Sequence, residues 1–119
     1  MASGFLTTHV LDTGRGMPAA DLKISLYRLE GDKKIHITDR QTNADGRTDS
    51  PILAQDDFAA GRYMLVFHAG SYLEAHYDDL PEPKFLDEVP IIFGMADAQS
   101  HYHVPLLLSP YGYSTYRGS

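Results

Sequence analysis

Short segments of alternating apolar residues recur about every ten positions along this chain, each closed by glycine, proline or Asx residues. That rhythm leaves few folds open, and a two-layer β-sandwich or a barrel is the expectation. Residues 5–12 read as a strand, broken by the run from Gly14 to Pro18. Leu22, Ile24 and Leu26 fall on one face of the next strand. Gly31-Asp32 makes a turn, residues 34–42 return, and Asn43-Ala-Asp-Gly46 turns again, Gly46 supplying a positive φ. A further strand starts at Arg47. Residues 62–69 are almost wholly apolar, as a strand covered on both sides would be. Ser71-Tyr-Leu-Glu74 has the form of a capping box, with Leu73, Tyr77 and Leu80 at helical spacing behind it. One short helix is therefore expected, stopped by Pro81 and Pro83. Residues 89–93 alternate, and two strands finish the chain, giving eight in all. Pro90 and Pro105 lie inside these strands and offer the ladder no N–H, so an edge or a bulge is expected at each.

With 119 residues the chain makes one domain spanning 1–119, large enough for a real core. A formal charge of −6 argues against nucleic acid, whose phosphates need a basic surface. With no cysteine there is no disulfide scaffold, thiolate nucleophile or cysteine-ligated metal. No apolar run reaches the roughly 20 residues that cross a bilayer. Residues 1–5 lack the basic-then-apolar layout of a secretory signal, so a cytoplasmic protein is expected, with the periplasm open to a trimmed precursor.

The reactive inventory is histidine, arginine, carboxylate and hydroxyl. His9 lies mid-strand, while His101 and His103 are two apart and share a face. A strand histidine is ordinarily a half-exposed polar residue. Near neutral pH it is also the natural acid–base group. Arg47 follows a turn glycine; most such arginines are solvated, but the guanidinium is also a fixed fork for a planar, oxygen-rich ligand. The ending Tyr116-Arg-Gly-Ser119 supplies two hydroxyls, a guanidinium and a glycine directly after a strand, where chain ends are usually polar and frayed.

Three segments carry a resemblance over essentially the whole chain: Leu6-Thr-Thr-His-Val-Leu-Asp-Thr13 with Gly16-Met-Pro-Ala19, Thr42-Asn-Ala-Asp-Gly-Arg47, and His101 through Ser119. Together they resemble the 5-hydroxyisourate hydrolases, the transthyretin-related enzymes of urate breakdown. The final tetrapeptide discriminates best, because transthyretin lacks it. The resemblance implies an all-β, transthyretin-like sandwich of eight strands in two sheets with one short helix, assembled as a homotetramer, a dimer of dimers. It implies hydrolysis of a cyclic amide of 5-hydroxyisourate to 2-oxo-4-hydroxy-4-carboxy-5-ureidoimidazoline, with no cofactor.

By the same resemblance His9, Arg47 and His103 are the catalytic residues, and His9 and Arg47 also contact substrate. Tyr116 and Ser114 contribute to substrate binding, and Arg117, Gly118 and Ser119 line or close the pocket. His101 adjoins the motif without belonging to the catalytic set. Ser114 lacks the strand-to-helix elbow of a serine nucleophile. Three imidazoles are the smallest zinc set, but an H-x-H pair is common by chance and no carboxylate can be assigned behind it. Two other readings compete: a transthyretin-like carrier of a hydrophobic, hormone-type ligand, and an interaction module without catalysis. Polar residues at 9, 47 and 103 would face an apolar ligand unpaired, which disfavours the carrier.

Overall fold

A computed structural model describes residues 3–119. In chain order the strands are β1 (Phe5–Asp12), β2 (Met17–Pro18), β3 (Lys23–Glu30), β4 (Lys33–Gln41), β5 (Leu53–Ala54), β6 (Gly61–Phe67), β7 (Val89–Met95), β8 (His101–Ser109) and β9 (Gly112–Thr115), with helix α1 (Ala69–His76) between β6 and β7. One sheet runs β2-β1-β8-β9, with β5 also on β1; the other runs β4-β3-β6-β7. The two-sheet sandwich with one short helix is the architecture the sequence indicates. Where eight strands are expected from the sequence, the described residues form nine: six of seven to nine residues, β9 of four, and β2 and β5 of two each.

Period-2 patterning builds the core. Leu6, Val10, Leu22, Ile24, Leu26, Leu65, Phe67, Leu106 and Leu108 are essentially inaccessible and form one cluster between the sheets. The β3–β4 hairpin closes at Gly31 with φ 60°. Strand β7 is the edge of its sheet, as Pro90 demands. Strand β8 is not an edge, since it lies between β1 and β9. Its Pro105 is accommodated differently. The Pro105 carbonyl accepts the Thr115 hydroxyl at 2.7 Å, so the ring nitrogen also faces the β9 side, one residue beyond the last ladder pair Leu106–Thr115.

The helix starts earlier than the Ser71 box suggests. His68 is its N-cap, without a side-chain cap bond, and Ser71 falls inside. Tertiary packing decides this: Gly70 is buried and its N–H donates to the Asp87 carbonyl at 2.6 Å. Below the helix, the Asp12 carboxylate is 1% exposed and fully engaged. It accepts Tyr72 OH at 2.7 Å, Tyr77 OH at 2.6 Å and the Arg15 N–H at 3.1 Å. Burial, then the bond to Asp12, pushes the Tyr72 phenol up to about 12 and raises Tyr77 as well. This clamp ties α1 to the end of β1.

Candidate active site

The two ends of the chain lie side by side. Strands β1 and β8 pair in parallel from Phe5–His101 through Thr7–His103 to Asp12–Leu108. Alternation along β1 buries Leu6, Thr8 and Val10 and turns Thr7 and His9 to the outer face, where His101 and His103 also stand half-buried. Residues almost a hundred positions apart thus share one surface.

The other side of β1 explains why a cleft exists. After Gly46 the chain touches β1 at Arg47, bridged to His9, leaves it, and returns where the Ile52 N–H donates to the Leu6 carbonyl at 2.8 Å. The strand expected from Arg47 is therefore interrupted. Pro51 has no N–H to offer the ladder, and residues 48–51 loop away. The gap is a cavity of about 380 Å³ lined by Thr7, Thr8, Arg47, Thr48, Asp49, Ser50, Pro51, His101, His103 and Ser119.

The loop that delivers Arg47 is tightly built. The Asn43 side-chain oxygen accepts the N–H groups of Asp45 at 2.9 Å and Arg47 at 3.2 Å, an Asx turn. Gly46, at φ 78°, passes so close to β1 that a Cβ would lie 2.4 Å from the Val10 carbonyl oxygen. His9 Nε2 lies 2.8 Å from the Asp45 carbonyl. A carbonyl only accepts, so His9 Nε2–H is the donor of this bond. Among the described residues no hydrogen bond or ion pair engages the Arg47 guanidinium, which is thus available to a ligand.

His103 is held from two sides. Its Nδ1 lies 2.8 Å from Thr7 Oγ1, which also lies 2.6 Å from His101 Nε2. On the other side the chain end presses against it: Gly118 N–H donates to the His103 carbonyl at 2.7 Å, and a Cβ on Gly118 would stand 2.4 Å from His103 Cδ2. Burial, with the positive charge of Arg47 and the neighbouring His101 and His9, lowers the His103 pKa below the usual imidazole range. The ring is therefore neutral, and able to accept a proton, over a wider span of pH. Among the described residues its Nε2 has no hydrogen-bond partner.

The structure brings Arg47, His103 and Ser119 to one cleft and sets His9 against the backbone of Arg47. Gly118 acts by packing and by its backbone bond. Arg117 points elsewhere, its guanidinium 4.2 Å over the Tyr102 ring and donating to the His101 carbonyl at 3.3 Å. Ser114 lines a separate shallow depression with Thr13 and Leu107, and Tyr116 is 60% exposed outside the cleft lining. Thr7 and His101 are the members sequence reasoning leaves aside. Alternation with His9 puts Thr7 on the outer face, but only the β1–β8 register sets it opposite His103. Among the described residues no three His, Asp or Glu side chains group as a metal site.

Sheet order and chain-end pairing define a transthyretin-like sandwich, with a cleft lined by imidazole, guanidinium and hydroxyl groups on the β1–β8 sheet. The chain matches the HIUase/Transthyretin family over residues 6–118 and belongs to it. It is 63% identical to "5-hydroxyisourate hydrolase 2" of Rhizobium meliloti over 98% of both chains. It is 57% identical to the 5-hydroxyisourate hydrolase of Pseudomonas aeruginosa, covering 98% of this chain and 92% of that one. Among solved structures, 5-hydroxyisourate hydrolase of Klebsiella pneumoniae superposes with a TM-score of 0.81 at 34% identity, over 98% of this chain and 99% of that one. Sea bream transthyretin in complex with thyroxine superposes at 0.84 with 25% identity, over 95% and 93%.

Proposed function

We propose that this protein is a 5-hydroxyisourate hydrolase, which opens the cyclic amide of its substrate by attack of water. The supporting observation is the convergence of Arg47, His103 and Ser119 on one cleft, with His9 fixing the loop that carries Arg47. Relatives of the same name at 57–63% identity support the same reaction.

Attack on an amide carbonyl needs a base for the water, positive charge at the developing oxyanion and a proton for the departing nitrogen. His103 is the base, since its lowered pKa keeps it neutral and its Nε2 is unengaged. Arg47, unpaired and permanently charged, holds the carbonyl oxygen as charge builds there. His9, its Nε2–H anchored on the Asp45 carbonyl, is the second proton carrier. Ser119 closes the cleft, while Ser114, Tyr116 and Arg117, which lie outside its lining, take no part in the step. A carrier of a hydrophobic hormone would meet an uncompensated guanidinium and two imidazoles here, which costs free energy rather than gaining it.

The assembly proposed is a homotetramer. Strand β7 is a sheet edge bearing Ile92 at 58% exposure, and β9 with its flanking residues, the edge of the other sheet, exposes Tyr111, Tyr113 and Tyr116.

The test follows the ultraviolet decay of freshly prepared 5-hydroxyisourate. The wild-type protein should accelerate it, whereas His9→Ala and Arg47→Ala should fold normally and lose about 10²-fold or more in rate. Wild-type decay in both variants would remove the assignment.

A further inference from the structure

Thr7 presents one hydroxyl to two imidazoles, at 2.6 Å from His101 Nε2 and 2.8 Å from His103 Nδ1. The mechanism above leaves that contact unused. A hydroxyl has one hydrogen, so it donates to one ring and accepts from the other. Two arrangements satisfy the trio. In the first, His101 Nε2–H donates to Thr7, Thr7 donates to His103 Nδ1, and neutral His103 carries its proton on Nε2. In the second every hydrogen is reversed: His103 Nδ1–H donates to Thr7, Thr7 donates to His101 Nε2, and His103 Nε2 holds a free lone pair. Only the second makes His103 Nε2 a base.

We propose that Thr7 and His101 are positioning residues for His103, forming a hydroxyl-bridged relay that sets its tautomer and takes over its charge during turnover. The proposal rests on the hydrolase reading. Its proton count closes. Water gives its proton to His103 Nε2 as its oxygen bonds to the amide carbon, the carbonyl electron pair moving to the oxygen beside Arg47. The Nδ1 proton passes to Thr7 Oγ1, whose own hydrogen passes to His101 Nε2. His103 is again neutral, now bearing Nε2–H, and His101 is the imidazolium. When the carbon–nitrogen bond breaks, Nε2–H goes to the departing nitrogen and the relay runs back.

Surroundings favour this direction. Positive charge on His103 is opposed by burial and by Arg47. His101 lies against the face of Phe5, ring centroids 4.1 Å apart and planes 17° from parallel, where an aromatic face attracts a cation. The groups facing His103 are His101 on its own strand, Thr7 and His9 on β1, Arg47 and Asp49 on the loop, and Gly118 and Ser119 at the chain end.

The decisive experiment pairs kinetics with nitrogen NMR of the histidine rings in the substrate-free protein. Thr7→Val, which keeps shape and removes the hydroxyl, should lower kcat about tenfold or more with KM changed less than about twofold, and Thr7→Ser should restore most of the rate. His101→Gln retains a hydrogen bond but cannot hold the charge, so kcat should fall similarly and the acid limb of the pH profile should move. The His103 ring-nitrogen shifts should show Nδ1–H in the wild type and lose that preference in Thr7→Val. Wild-type kcat and pH profile in either Thr7→Val or His101→Gln, or unchanged His103 shifts in Thr7→Val, would overturn the relay. Absence of ring opening by the wild type would instead strike the hydrolase reading, and the substrate-free spectra would still judge the relay.

Discussion

At the residue scale the proposed site is shaped by how closely backbone approaches imidazole and strand. Gly46 and Gly118 each occupy a place where a methyl group would collide, Gly46 with a β1 carbonyl and Gly118 with the His103 ring. Gly118→Ala should therefore push His103 out of register with Thr7 while leaving the fold intact. A displacement of this size costs on the order of 10²-fold in kcat. Circular dichroism melting together with the ring-opening rate would check it; an unchanged kcat would show that the chain end does not position His103. His9, Arg47 and His103 were legible as candidates because short motifs around them carry a family resemblance. Thr7 was not. Its role depends on the register that sets it opposite His103, which no local pattern near Thr7 encodes.

Elements follow local chemistry except where a tertiary contact overrides it. Alternation placed Leu22, Ile24 and Leu26 inside, and Gly31 placed the β3–β4 turn, since both signals act within a few residues. Helix α1 shows the opposite case, its start set by burial of Gly70 against Asp87 rather than by the Ser71 box. The interruption after Arg47 is a third kind. A pairing pattern could have been read there, yet Pro51 and the return at Ile52 open the cleft instead. The clamp between α1 and β1 yields a stability prediction. Tyr72→Phe strips Asp12 Oδ2 of its only hydrogen bond among the described residues, leaving a buried carboxylate oxygen unmatched. The cost should be about 1–3 kcal/mol, read as a lower urea midpoint at unchanged slope. An unmoved midpoint would mean that the clamp adds nothing.

For the molecule as a whole, parallel pairing of β1 with β8 builds the face proposed as the active site: unpairing β8 from β1 parts His103 from both Thr7 and His9. The same face is open in the single chain, and the proposed tetramer would cover it with another copy. Sedimentation equilibrium should return a tetramer at micromolar concentration; a monomer with full activity would show that one chain's cleft suffices. The central claim is that a neutral, charge-opposed imidazole and an unpaired guanidinium hydrolyse a cyclic amide. Its most direct measure is the ultraviolet decay rate of 5-hydroxyisourate against pH, wild type beside Arg47→Ala. Because the His103 pKa is lowered, the base form persists as pH falls, and the acid limb should lie below the ordinary imidazole value of about 6.5. In Arg47→Ala the residual rate should be far smaller and its acid limb should shift upward. Decay no faster than the spontaneous reaction, or an acid limb above that value in the wild type, would contradict the claim.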